Sequence, residues 1–366
     1  MKILRVSIGY PTEEVPGSGL NVYYHSLVSN QKNMIITTKK QSNLLPNNNI
    51  NTTIIQIPYN KINLLEPNKK NFYSVLRLII KICNQIVFFI RSKKYIKEYK
   101  PDIIHVYTPI PVFFGAYCKR KFKSKYILSL HGTDVDRIVK NKLFRLTLNK
   151  PDVIATMSEP MKEKLLNIGI KNPVVVIGNG VDLSQFINMR RKRKKQFIQV
   201  ASLRWQKGQK YLIEAFKKLV DDGFDYNLKI IGEGPDRAEL EEQIKLLKLN
   251  DKVTLCGMKS RKIVVEELNE SYAFILSSVS EGFPKVIYEA MATGTPIITT
   301  DVGSVSDVIK DSGIIVEPYN GDALYEAMKT ILSSNWEYYS KKSQEYVKRY
   351  TWEEVNNRLE VLYKIK

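Results

Sequence analysis

The sequence predicts an α/β protein made of two doubly wound, Rossmann-like domains. Three observations predict it. The 366 residues exceed one ordinary hydrophobic core and suit two. Short apolar runs alternate with helix-length amphipathic stretches along the whole chain, the rhythm of parallel strands joined by crossover helices. That rhythm breaks once, at 186–196, where six consecutive cations fill 190–195.

In the first half, apolar runs at 3–8, 34–37, 54–57, 103–106, 126–130, 153–156 and 174–177 read as strands. Helical patterns lie at 21–28, 72–99 and 159–168. The segment 188–195 has no apolar periodicity, so it reads as an exposed basic linker between domains at 1–187 and 196–350. A nucleic-acid-binding arm is the rival reading of that run. Beyond it, strands fit 197–202, 228–231, 253–255, 274–276, 297–300 and 314–316. Helices fit 210–220, 237–248, 285–292 and 322–332, and the tail from 336 is helical with a break near 350–351. Thr351 followed by Glu353 and Glu354 marks a helix start, and this C-terminal helix, 351–366, is expected to pack back on the first domain.

Three cysteines, Cys83, Cys118 and Cys256, lie far apart. They match no metal-ligand spacing and no disulfide framework, which fits a reducing cytoplasm. The first residues form a strand pattern without the apolar core of a secretory signal. The longest apolar candidate for a membrane span, 75–90, is interrupted by Arg77, Lys81, Asn84 and Gln85, so no spanning helix is expected.

The net charge of +20 is unevenly spread. Residues 1–187 hold 28 Lys and Arg against 11 Asp and Glu, whereas 188–366 hold 29 against 26. The first half therefore suits an anionic partner: a membrane, a lipid phosphate or a nucleic acid. A merely solvated lysine-rich surface accounts for the same numbers.

The most informative stretch is Ser280-Glu281-Gly282-Phe283-Pro284-Lys285-Val286-Ile287-Tyr288-Glu289-Ala290-Met291-Ala292-Thr293-Gly294-Thr295-Pro296. It follows an apolar strand and opens a helix. Loop N–H groups and the positive end of the helix dipole favour a diphosphate there. Glu281 in the loop and Glu289 inside the helix each offer several lone pairs, which suits vicinal hydroxyls of a hexose and a ribose. Alone, either glutamate is an ordinary helix-start or helix-surface residue.

This stretch resembles the E-x7-E motif and the following E-A-M-A-x-G-x-P of family 4 glycosyltransferases. The resemblance implies a GT-B fold, two Rossmann-like domains facing across a cleft, and nucleotide-sugar chemistry with retention at the anomeric carbon. It implies the donor sugar at Glu281, the nucleotide ribose at Glu289, and sugar and phosphates along Gly282, Phe283, Pro284 and Lys285. Pro284 lacks an N–H.

Other blocks match in the same order. Ala201 to Gly208 resembles G-R-L-x-x-x-K-G, which implies that Lys207 ion-pairs with the donor diphosphate. Ser202 stands where the family commonly has arginine. Arg204, two residues on and on the same face of an extended strand, is the expected substitute. Ile230 to Pro235 resembles a strand-to-helix turn in which Gly232 and Gly234 permit tight packing. Base recognition is expected near Gly257, Met258 and Lys259, suiting uracil or guanine. Ser129 to Asp134 resembles H-G-x-D and implies that His131 stands beside the donor hexose at the reaction centre. Gly17, Gly19 and Asn21 resemble the first glycine loop and imply close backbone approach to phosphate. Asn179 to Asp182 resembles the N-G-V-D of the interdomain crossing. Asp134-Val135-Asp136 matches the three-residue metal motif of another glycosyltransferase fold, but after H-G no metal role is expected, and no metal or other cofactor is implied.

The catalytic set is thus His131, Lys207 and Glu281, with a UDP- or GDP-linked sugar as co-substrate. The resemblance implies front-face attack, with charge growing on the diphosphate and domain closure excluding water. Residues 69–100 carry nine Lys and Arg against one acid, interleaved with Leu, Ile and Phe, and Lys119, Arg120, Lys121, Lys123 and Lys125 add a second cluster. Basic amphipathic helices suit anionic leaflets. The expectation is an enzyme peripheral to the cytoplasmic membrane face that extends a glycan or lipid-linked acceptor. Inward packing of the apolar residues, with the lysines simply hydrated, is the other reading. A nucleotide-sugar epimerase of the same fold needs no acceptor. A basic nucleic-acid-binding protein leaves the contexts of His131, Lys207, Glu281 and Glu289 unexplained, so no nucleic-acid partner is expected.

Overall fold

A computed structural model describes residues 1–8, 19–38, 48–57, 72–107, 112–131, 133–140, 145, 148, 150–189 and 191–364, without the side chains of 72–82, 112 and 133. The chain forms two compact units, Met1–Gly178 with Val355–Lys366, and Asn179–Glu354.

The first unit holds seven strands: β1 (Lys2–Ser7), β2 (Lys32–Thr37), β3 (Thr52–Gln56), β4 (Ile103–Val106), β5 (Lys125–Ser129), β6 (Val153–Thr156) and β7 (Val174–Val176). They pair in the order β3-β2-β1-β4-β5-β6-β7, parallel throughout. Ile3, Leu4, Val6, Ile104 and Val106 are wholly buried, as parallel strands covered on both faces require. The long helix Phe72–Tyr99 is tied to the sheet by the Tyr99 hydroxyl, which donates to the Lys32 carbonyl at 2.6 Å. From the last helix, Trp352–Lys364, the Tyr363 hydroxyl reaches the core and accepts from Arg5 at 2.9 Å.

The second unit holds β8 (Gln196–Val200), β9 (Asn227–Ile231), β10 (Val253–Leu255), β11 (Ala273–Leu276), β12 (Ile297–Thr300) and β13 (Gly313–Val316). Their order is β10-β9-β8-β11-β12-β13, again parallel. Alternation along the strands divides the core. Ile198, Ile231, Phe274 and Ile297 pack into one apolar cluster, and their neighbours Phe197, Ile230, Ile275 and Ile298 into another. Successive side chains point to opposite faces, so the sheet is doubly wound.

The main span of the first unit ends at Gly178 rather than 187, and in the segment read as a linker Arg191, Lys192, Lys194 and Lys195 are exposed while Arg193 is partly buried. The Arg193 guanidinium lies over the Trp336 ring and donates to the carbonyls of Leu268 and Ser271. Arg191 and Lys194 both pair with Glu270. The carbonyls and negative dipole at the end of the helix Arg261–Glu270 attract the cations that composition alone leaves in water. The helices Val112–Phe122, Thr133–Lys140, Arg261–Glu270 and Val305–Ile309 were also not anticipated.

Candidate active site

In the second sheet, the chain runs outward in sequence from β8 to β9 and β10 on one side, and from β11 to β12 and β13 on the other. Such a switch point leaves a crevice outside the carboxyl ends of the two central strands, where ligands of α/β sheets bind. Lys207 follows β8, on the 3-10 turn Trp205–Lys207. Glu281 follows β11, in the loop that leads to the helix Lys285–Ala292. Two strand ends thus carry the two residues to one place.

Their positions are fixed by the backbone. Val279 N–H donates to the Gln206 carbonyl at 2.8 Å, and the Ser277 hydroxyl donates to the Lys207 carbonyl at 3.0 Å. Gln199 of β8 holds that hydroxyl at 2.9 Å. Gly208 adopts φ +63, and a Cβ there would lie 1.9 Å from the Ser277 carbonyl oxygen, so only glycine permits this approach. Lys207 Nζ then meets Glu281 Oε1 at 2.5 Å, and the Ser278 hydroxyl donates to the same oxygen at 2.7 Å.

Glu289 lies on the helix Lys285–Ala292, beside two cations. Arg261 Nη2 pairs with Glu289 Oε1 at 3.4 Å. Its Nη1 donates to Gln185 Oε1 at 3.2 Å, and the guanidinium carbon stands 5.2 Å from the Phe186 ring centre. Burial raises the Glu289 carboxyl above its ordinary range, against the opposing pull of Arg261 and Lys285. Burial lowers Lys285 to about 8, with Glu289 opposing that shift and Arg261 reinforcing it.

Around this centre, Arg204 and Ser202 are both exposed, but β8 has ended at Val200. The shared-face argument from strand alternation therefore does not apply, since both residues lie in the turn that follows. Met258 is 73% exposed. A Cβ on Gly232 or Gly234 would strike the carbonyl oxygens of Ala201 or Leu203 at 1.9 and 2.1 Å, so these are packing glycines between adjacent strand ends. Gly282, Phe283 and Pro284 form the loop into the helix, and the Phe283 ring stacks 5.3 Å from that of Tyr288.

The remaining expected residues belong to the first unit. Gly19, at φ 68, precedes the helix Leu20–Leu27. Asn21 is buried beside Met157, its amide 3.8 Å from the sulfur. His131 follows β5, its N–H bonded to Asp134 Oδ2 at 3.2 Å and its ring parallel to Tyr107 at 6.1 Å. Asp136 instead pairs with Lys164, so the two aspartates of the D-x-D match serve separate partners. Gly17 lies outside the described residues. Among the described residues, no three His, Cys, Asp or Glu side chains cluster at metal-holding spacing, and no helix is long and apolar enough to cross a membrane.

Several residues escaped the sequence reading. Arg5 is wholly buried and donates to Asn33, Tyr107, Tyr363 and the His25 carbonyl. Tyr107 also meets His25 Nδ1 at 2.9 Å. A charged residue inside an apolar strand was the available signal. Arg261 had one too, since a cation in the first turn of a helix opposes the dipole.

Comparison with known proteins agrees with this architecture. Residues 47–185 match the family model described as Glycosyltransferase Family 4, and residues 180–351 match that described as Glycosyl transferases group 1. An uncharacterized glycosyltransferase of Methanocaldococcus jannaschii is 28% identical over 365 residues, covering 96% of this chain and 95% of its own. Sucrose-phosphate synthase from Thermosynechococcus elongatus superposes with a TM-score of 0.79 at 18% identity, over 100% of this chain and 98% of its own. HepE of Anabaena, solved in complex with UDP-glucose, superposes with a TM-score of 0.74 at 16% identity, covering 100% of both chains. At such identities the superpositions speak for the fold alone. The two family models together span most of the chain, and the chain belongs to the family 4-like glycosyltransferases of the GT-B fold.

Proposed function

We propose that this glycosyltransferase moves a hexose-type sugar from a nucleoside diphosphate donor to a glycan or lipid-linked acceptor at an anionic membrane face, with retention at the anomeric carbon. The Lys207–Glu281 pair at the switch point carries the reading. In glycosyl transfer, the bond from the anomeric carbon to the diphosphate oxygen breaks while the bond to the acceptor oxygen forms. Negative charge grows on the diphosphate, and placed cations stabilise it in the transition state more than in the ground state. Lys207 supplies a compact ammonium for that charge, and Arg204 and Lys285 add to it. Glu281, released from Lys207 by the incoming phosphates, accepts from sugar hydroxyls, and Glu289 accepts from the ribose. On the resemblance alone, we assign His131 to the hexose and Gly19 and Asn21 to the phosphates. The acceptor proton passes to the departing phosphate oxygen, so no protein nucleophile is needed.

HepE, a protein of the same fold, was solved with UDP-glucose, which supports a nucleotide-sugar donor and leaves uridine and guanosine as the two classes to compare. A thermal-shift panel of UDP- and GDP-linked sugars tests the donor. One nucleotide class is expected to raise the Tm of the wild type and to leave Glu289→Ala unmoved. Equal shifts in both proteins, or none in the wild type with either class, count against the site. Anomeric analysis of the product then decides retention, and incubation with donor alone separates transfer from epimerisation.

A further inference from the structure

Arg261 opens its helix with no acidic residue in the first turn. The helix dipole disfavours a cation there, so its retention calls for a compensating partner. Among the described residues, its guanidinium meets the face of Phe186, the amide oxygen of Gln185 and the carboxylate of Glu289. Gln185 and Phe186 are themselves anchored, since the N–H of each donates to the Asp182 carbonyl, at 3.1 and 3.0 Å. Phe186 is buried in the core beside Tyr288, the residue before Glu289. A planar fork gripped on its face and at one nitrogen has little freedom left, and it presents the other nitrogen in a fixed direction.

We infer that Arg261 is a positioning residue for Glu289 and makes the site selective for a donor with intact ribose hydroxyls. The inference rests on the assignment of Glu289 to the ribose. Among the described residues, the ion pair engages one carboxylate oxygen, Oε1. It opposes the upward shift that burial gives the carboxyl and leaves Oε2 to accept from a vicinal diol. Ionised acceptors bind hydroxyls more strongly than neutral ones. Without Arg261, Lys285 is left to oppose the effect of burial on Glu289, and the carboxylate loses the contact that fixes its direction. Arg261 touches no ligand in this scheme and acts only through Glu289.

The test is calorimetric titration with UDP, 2′-deoxy-UDP and inorganic pyrophosphate, with the guanosine pair in place of the uridine pair if the thermal-shift panel selects guanosine. Wild type is expected to bind the ribonucleotide roughly ten- to a hundredfold tighter than its deoxy analogue, the range of hydrogen bonds to charged groups. In Glu289→Gln that ratio is expected to fall to a few-fold or less. Arg261→Ala is expected to lower it to a similar extent while pyrophosphate affinity changes less than threefold. Arg261→Lys, which keeps the charge but lacks the planar fork, is expected to restore only part of the ratio, and it serves as the test should the alanine variant fail to fold. A ratio that collapses in Glu289→Gln yet persists in both Arg261 variants overturns the inference and leaves the ribose site standing. A ratio unchanged in Glu289→Gln removes the ribose site and this inference with it.

Discussion

Lys285 opens its helix beside Glu289 and Arg261 with an ammonium whose pKa burial lowers from 10.5 to about 8. In the unfolded chain it stays protonated across that interval. Between pH 8 and 10.5 the unfolded state therefore binds more protons, so this group's contribution to stability rises with pH. Below pH 8 the charge is present in both states and its desolvation cost is fully felt. A bound diphosphate reverses the balance by favouring the charged form. Nucleoside diphosphate affinity is thus expected to hold level up to about pH 8 and to weaken above it by up to about tenfold per unit. Lys285→Met is expected to bind more weakly at pH 7 and to lack the decline. Titrations from pH 7 to 9.5 check both, and a decline that survives in Lys285→Met assigns it to another group. Lys285 is visible in the motif, but its shifted titration is not, because that arises from burial in the folded chain, with Arg261, twenty-four positions away in sequence, adding to it. Arg204 illustrates the reverse. Its spacing from Ser202 invited a strand argument, and the strand stops two residues before Ser202.

At the scale of elements, the site depends on two strand-end loops that touch through their backbones. Gly208 is the point of closest approach, with no room for a Cβ against Ser277. Gly223 offers a control, since it also has positive φ, +83, but nothing lies within 4 Å of its missing Cβ. Gly223→Ala therefore meets only the left-handed backbone penalty, about 1–2 kcal/mol. Gly208→Ala meets that penalty plus displacement of the Lys207 turn from the Glu281 loop, roughly 1–3 kcal/mol more. Denaturant unfolding of the two variants is expected to show this difference, and donor affinity is expected to fall only in Gly208→Ala. Equal losses of stability would mean that the loops can part at no cost. The same elements show where sequence patterns succeed. Every described strand has its apolar run, because β-branched residues buried on both faces leave a dense signature. The helix Arg261–Glu270 was missed because its first residues, Arg261 and Lys262, read as a polar loop, and its Ser260 cap is a single serine. Arg193 departs from the solvated reading of its run for a related reason. Whether a cation is solvated depends on which carbonyls face it, and those facing Arg193 belong to Leu268, Ser271, Thr293 and Gly294.

Across the whole molecule, the excess charge belongs to the half of the chain that carries an exposed apolar strip. Ile86, Val87 and Ile90 of the helix Phe72–Tyr99 are 40%, 46% and 57% exposed, and Phe113 of the helix Val112–Phe122 is 44% exposed. The Phe89 and Phe113 rings lie 6.4 Å apart, so these residues form one patch. Lys93 borders it, its ammonium 5.1 Å from the Phe89 ring centre and 5.7 Å from that of Tyr117. Inward packing thus accounts for Phe88, Phe114 and Ile96, which are buried, but not for the strip. Apolar side chains that enter the acyl boundary beside lysines that meet lipid phosphates are how an interfacial helix holds a membrane. Each lysine near an anionic leaflet contributes about 1 kcal/mol, so reversing three is expected to weaken binding by at least about a hundredfold. Flotation with vesicles of phosphatidylcholine and an anionic phospholipid is expected to carry the wild type upward at low salt and less of it at high salt. The Lys93→Glu, Lys94→Glu, Lys97→Glu variant is expected to stay at the bottom, as is Ile90→Ser with Phe113→Ser. The two losses separate the causes, since only the first reflects charge and only the second apolar insertion. If wild type and both variants distribute alike, the strip and its lysines are hydrated surface, and the acceptor then needs no membrane to present it.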